Sequence, residues 1–159
     1  MSFRLAALDD FIDLESSSFK CSSYKNLAYP LGCSKSELDS ALGDGDFVVF
    51  NDTAKVGFIR IKAMFSRIAY LDLYLIGDFI DGDFADVDTA DGDIQAVMGW
   101  LAAQYDIGKY YIQLLPNEQL EIDCLKRLGF TEEARLKSQL FVEGTYYDLL
   151  MMGSEDKRV

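Results

Sequence analysis

Ile94, Val97, Met98, Leu101 and Tyr105 recur at i, i+3, i+4, i+7 and i+11, the spacing of one apolar face of a long helix. Strand-like runs lie on both sides of it. Ile68 to Ile76, rich in β-branched and aromatic residues, comes before, and Tyr110 to Leu115 comes after. A helix between two such strands limits the fold more than any other feature, because the helix must lay its apolar face on the sheet that the strands build. The strand from Tyr110 is therefore expected beside the strand that ends at Ile76, in a central mixed sheet.

The remaining segments extend this pattern. Phe3 to Ala7 reads as a short first strand and Asp9 to about Phe19 as a helix. Cys21 to Cys33, with Pro30 and Gly32, reads as a loop or a broken helix. Ser34-Lys35-Ser36-Glu37 forms a capping box, in which the serine hydroxyl and the glutamate satisfy each other's orphan amides. Leu38, Ala41 and Leu42 mark the face of the helix that follows, and Gly43 stops it. Phe47 to Phe50 then turns through Asn51-Asp52-Thr53 into a strand from Val56 to Ala63. Pro116 opens a helix with Leu120, Cys124, Leu125 and Leu128 on one side, and Gly129 ends it. Two strands follow, about Ala134 to Val142 and Tyr146 to Met152, joined at Glu143-Gly144. The order is β α α β β β α β α β β, one domain spanning 1–159.

Composition narrows the chemistry. The 159 residues are half hydrophobic, enough for a proper core. No apolar run approaches the ~20 residues that span a bilayer, and Met1 to Asp10 lacks the layout of a signal peptide. Cys21, Cys33 and Cys124 have unpatterned spacings that fit reduced thiols in a cytoplasm. The chain contains no histidine, which removes Ser-His-Asp and Cys-His catalysis and every metal site that uses imidazole. Proton transfer falls to carboxylates, tyrosines, lysines, thiols, backbone groups or water. A formal charge of −12 repels phosphate, so nucleic acid and anionic membrane are not expected partners, whereas a cationic amine would be attracted.

The element order and the last forty residues carry a family likeness. Leu128-Gly129-Phe130, Glu132-Glu133-Ala134-Arg135 and Phe141-Val142-Glu143-Gly144-Thr145-Tyr146-Tyr147-Asp148 resemble the end of one branch of the GNAT superfamily of acyl-CoA-dependent N-acyltransferases. That branch holds the ribosomal-protein alanine and the spermidine N-acetyltransferases. Leu73-Tyr74-Leu75-Ile76-Gly77-Asp78-Phe79 resembles the family's fourth strand and its exit. The resemblance covers roughly Phe47 to Gly153. It implies an α/β (α+β) fold with a mixed, mostly antiparallel twisted sheet of six to seven strands and about four helices. It also implies an N-terminal strand with acceptor-side helices at 1–45, a coenzyme-side core at 46–115, and a C-terminal helix and hairpin at 116–153.

The resemblance also implies a cosubstrate, acetyl-CoA or another acyl-CoA, held by Leu75 and Ile76 at the end of the fourth strand. In the family a loop of the form Arg/Gln-x-x-Gly-x-Gly/Ala then cradles the pyrophosphate with its amides. Aligned from the following helix, that loop is Asp86 to Asp93, placing Asp88, Asp91, Gly92 and Asp93 at the coenzyme. Aligned from the strand, Ile80 takes the basic position. Seven aspartates lie from Asp78 to Asp93, and no lysine or arginine lies between Arg67 and Lys109. A carboxylate ~8 Å from a phosphate charge costs about 0.5 kcal/mol at the dielectric of water, so this loop is degenerate and expected to weaken coenzyme binding. Asn117 falls near the family's pantetheine-contacting asparagine, or else caps the helix. Counting back from Gly129 puts Leu125 where many members carry a tyrosine acid.

Asp72 and Tyr74 are the candidate general bases, two residues apart on one face of the fourth strand, with Leu71, Leu73 and Leu75 on the other. The other reading of Asp72 is a carboxylate paired across the sheet. Of Tyr146 and Tyr147, one should be core and the other line the acceptor pocket. Asp86-x-Asp88-x-x-Asp91-Gly92-Asp93 misses the calcium-loop spacing and its terminal glutamate; no metal is expected, and the tract reads as a mobile acidic loop. Two functions remain: an N-acetyltransferase acting on a small amine or a protein N-terminus, as monomer or homodimer, or a non-catalytic descendant that binds a partner in the old cleft.

Overall fold

The structure, a computed structural model, describes residues 3–7, 9–10, 40, 42–50, 57–75, 87–142 and 144–158. The expected helices from Asp9 and around Leu38, the loop from Cys21 to Cys33, the Asn51 turn and Ile76 to Asp86 fall wholly or largely outside those residues. The elements are β1 (Phe3–Leu5), β2 (Phe47–Phe50), β3 (Gly57–Phe65), β4 (Ile68–Leu75), α1 (Val87–Tyr105), β5 (Lys109–Leu114), α2 (Gln119–Arg127), β6 (Thr131–Val142) and β7 (Thr145–Gly153). The strands form one seven-stranded sheet in the order β1-β2-β3-β4-β5-β7-β6. The pair β4–β5 is parallel and every other adjacent pair is antiparallel, as the α+β expectation requires.

A tight hairpin sets the start of the parallel pair. Ser66 and Arg67 take φ values of 49° and 63°, the successive positive angles of a turn whose twist matches that of the strands. The Arg67 carbonyl accepts from the amides of Gly108 at 2.9 Å and Lys109 at 3.2 Å, while its guanidinium pairs with Asp106 at 3.0 Å. The root of β5 is thereby fixed beside Ile68.

α1 crosses from β4 to β5 and lays Ile94, Val97 and Leu101, each at most 1% exposed, in a cluster that includes Leu71, Leu73, Ile112 and Leu114. Three such side chains contribute roughly 1.5–3 kcal/mol each. That outweighs the cost of Gly92 and Gly99 within the helix, about 1 kcal/mol each. Tyr105 of the expected face is exposed. Tyr110 donates to the Met98 carbonyl at 2.5 Å, and burial pushes its phenol up to about 12, so it stays a neutral donor.

The helix starts earlier than expected. Residues from Val87 onward are helical, so Asp88 to Asp93 are its first turns and not part of a loop. Acidic side chains suit that position, because the amide end of a helix carries partial positive charge. The aspartates and Gly92 have the composition of a loop, which hides this helix start in the sequence.

At its far end α2 closes in a Schellman motif. Phe130 donates its amide to the Leu125 carbonyl at 2.9 Å and Gly129 donates to Lys126 at 3.0 Å, with Gly129 at φ 86°, a conformation that favours glycine. The buried helix residues are Ile122, Cys124 and Leu125; Leu120 and Leu128 are only half-buried. The chain then enters β6, where a bulge at Glu133 turns its carboxylate over Gly153 to meet Lys109 at 2.6 Å and the Tyr111 hydroxyl at 2.7 Å.

Candidate active site

β4 and β5 pair from Ile68↔Lys109 to Leu71↔Ile112, and there the ladder between them ends. β4 continues to Leu75 still paired with Gly57 on β3, and β5 continues to Leu114 still paired with Leu150 on β7. Each strand thus stays with its own half of the sheet, and a splay opens at their carboxyl ends. Backbone N–H and C=O groups along Asp72–Leu75 and Gln113–Leu114 line its two edges. An extended ligand with amides of its own can lie between two such strand edges. The helix crossover sets the N-terminus of α1 at this same end of the sheet, and a helix N-terminus favours an anion.

The sequence-nominated residues fall around this opening in different ways. Asp72 is the first β4 residue past the last β4–β5 pair, only 6% exposed, and faces away from the α1 side of the sheet. Its Oδ1 lies 3.7 Å from Lys62 Nζ on β3, so the expected alternative of a cross-sheet ion pair is present. Tyr74, 4% exposed, shares that face opposite Phe58. Leu75 ends the strand half-buried. Ile76 lies outside the described residues.

On the helix side, Asp88 lies in the first turn of α1. Asp91 receives Arg127 Nε at 2.6 Å and Nη2 at 3.1 Å, and the Cys124 thiol donates to it at 2.9 Å. Burial alone would raise the Asp91 carboxyl, but the hydrogen bonds from Arg127 and Cys124 and the guanidinium charge hold it below its usual value. Gly92 is an exposed helix residue with open space where a Cβ would stand. Asp93 is 8% exposed, and burial pushes its carboxyl up. The acidic charge at this helix end is therefore smaller than the sequence count, since one carboxylate is compensated by Arg127 and another turns inward.

Asn117 is exposed in the turn between β5 and α2, and the N-cap position belongs to Glu118, which corrects the capping expectation. Glu118 is buried, accepts from the Leu115 amide at 2.6 Å through Oε2 and donates its own amide to Leu115. This reciprocal pair closes the turn just beyond the splay. Leu125 is fully buried in the core, as its place in the Schellman motif demands. Tyr146 is 66% exposed beside Phe141, and Tyr147 is half-buried; neither is core, against expectation.

Three residues were missed in the sequence. Lys62 needed the bulge between Ile61 and Ala63, Arg127 needed the packing of α2 on α1, and Glu118 needed the reciprocal turn. Only Glu118 left a local trace, three residues after Leu115. A separate cleft of about 290 Å³, lined by Gln95, Gly99, Ala102, Gly108, Leu128 and Glu155 among others, lies by the root of β5, at the opposite end from the splay.

The fold has close structural relatives. A chimera of the Vibrio cholerae spermidine N-acetyltransferase SpeG and hSSAT superposes with a TM-score of 0.72 at 14% identity, over 96% of this chain and 93% of that one. RimL, the ribosomal L7/L12 alpha-N-protein acetyltransferase in complex with coenzyme A, gives 0.69 at 19% identity, over 99% and 96%. A protein of Streptococcus mutans UA159 gives 0.70 at 23% identity, over 99% and 100%. The sequence itself matches no protein-family model and no curated sequence. The chain shares its fold, the GNAT fold, with these N-acetyltransferases.

Proposed function

We propose that this protein transfers an acyl group from an acyl-coenzyme A, acetyl-CoA in the first instance, to an amine. The observation that carries the reading is the β4–β5 splay with the amide end of α1 at its mouth. The edges of the splay suit the amide-bearing pantetheine arm, and the helix amides suit the pyrophosphate. Leu75 and Ile76 would border the arm, and Asn117 would stand at its other side. Asp88, Asp91, Gly92 and Asp93 would set the potential around the phosphates rather than bind them. With no histidine in the chain, Asp72 and Tyr74, on the part of β4 beyond its pairing with β5, are assigned to accept the ammonium proton, directly or through water.

RimL was solved with coenzyme A, and it and SpeG bear names that specify a protein N-terminus and spermidine as acceptors. This supports an amine acceptor of one kind or the other. The test is amine-dependent release of free thiol from acetyl-CoA. Thiol release that rises with added amine, with acetylated amine seen by mass spectrometry, is expected. Acetyl-CoA binding with no transfer to any amine would favour the non-catalytic reading.

A further inference from the structure

Lys62 is the residue that a bulge adds to β3. Ile61 stands opposite Leu71 and Ala63 opposite Tyr70, so Lys62 has no place of its own in the ladder. A bulge bends its strand and re-aims a side chain; here it brings Nζ to 3.7 Å from Asp72 Oδ1. Because Asp72 is the first residue past the last β4–β5 pair, the ammonium stands at the root of the splay.

That contact is an ion pair too long for a hydrogen bond. A lysine head has three donors. Among the described residues its ion-pair partner is Asp72, which is buried, while the lysine side chain is 34% exposed. The carboxylate therefore tethers the cation without using up its donors. Arg60, the cross-strand neighbour of Asp72, lies on the same face with its guanidinium 5.6 Å from the Phe47 ring centre. In a chain of net charge −12, the Lys62 cation thus stands beside the proposed point of reaction.

We propose that Lys62 selects the acceptor by receiving a carboxylate carried on the amine, with Asp72 as the residue that positions it. This rests on the acyltransferase reading and adds the substrate class. A polyamine is drawn by the overall charge, but at the root of the splay it would meet an ammonium. An amino acid or another amine with a nearby carboxylate would meet a donor. One charge-assisted hydrogen bond of this kind is worth about ten- to hundredfold in kcat/KM.

The experiment compares acetyl transfer to matched pairs, 4-aminobutyrate with 4-aminobutanamide and phenylalanine with phenylalaninamide, and to spermidine. It uses the wild type, Lys62→Ala and Lys62→Arg, with thermal melts to confirm folding. The acids should be preferred about ten- to hundredfold in the wild type. Lys62→Ala should erase that preference through KM, so that each acid and its amide are used alike, and Lys62→Arg should keep part of it. Amides or spermidine used as well as the acids, or a preference that survives Lys62→Ala, would overturn the proposal alone. Transfer to none of these amines by protein that binds acetyl-CoA would overturn the acyltransferase reading and the proposal with it.

Discussion

Asp91 in the second turn of α1 and Arg127 in the last turn of α2 are joined by two hydrogen bonds, at 2.6 Å and 3.1 Å. The pair spans the two helices that flank the mouth of the splay, and the Cys124 thiol donates to the same carboxylate. It fixes the amide end of α1 in place and cancels one of the negative charges there.

Breaking this pair should cost stability in a pH-dependent way. The Asp91 pKa is lowered in the folded chain, so its contribution is complete above the ordinary aspartate value near ~3.9 and vanishes as pH falls through the lower folded value. Asp91→Asn should therefore be destabilised by roughly 1 kcal/mol at pH 7, a modest figure because Arg127 is partly solvated. The gap should persist at pH 5 and close in stronger acid. Urea unfolding at several pH values measures it; a gap that is the same at every pH would contradict the ion pair.

Asp93 should behave in the opposite sense. Burial raises its folded pKa, so the ionised form destabilises the fold once pH exceeds the folded value, and the penalty is absent below the unfolded value. Asp93→Asn should raise the melting temperature at pH 7 and leave it unchanged near pH 3. A lower melting temperature at pH 7 would show that the carboxylate is wanted in its charged form.

Much of the fold was legible because it rests on local pattern. The β-branched and aromatic run of β4, the spacing of Ile94, Val97 and Leu101, and the stop at Gly129 each follow from short-range chemistry, and the structure keeps all three. The start of α1 was not legible. A run such as Asp86 to Asp93 has the composition of a loop, yet aspartates at an amide end support a helix that tertiary packing holds. Of the candidate site, only the part along β4 has a local pattern in the sequence. Asp72 and Tyr74 share one strand, whereas Lys62, Arg127 and Glu118 reach their places through a bulge, a helix contact and a turn, none of which has a periodic signature.

Gly153 offers a test of the β6 bulge. A Cβ on this residue would stand 2.5 Å from Glu133 Cδ, so Gly153→Ala forces the end of this flexible side chain to shift against Lys109 and Tyr111. A loss of up to about 1 kcal/mol is expected, the worth of a partly solvated ion pair. Glu133→Ala in the same chain should recover part of it, since the clash and the ion pair then vanish together. Strictly additive losses in a double-mutant cycle would show that the two residues do not meet.

The claim that the splay and the α1 amides form an acyl-coenzyme A site is tested most directly by calorimetric titration with acetyl-CoA at low and high salt. The acidic residues that remain around the helix end should hold affinity to a dissociation constant weaker than ~100 µM, less than about 5.5 kcal/mol of binding free energy. Added salt should tighten it by screening the repulsion between carboxylates and phosphates. A titration with no heat of binding up to millimolar acetyl-CoA at every salt concentration would contradict the claim.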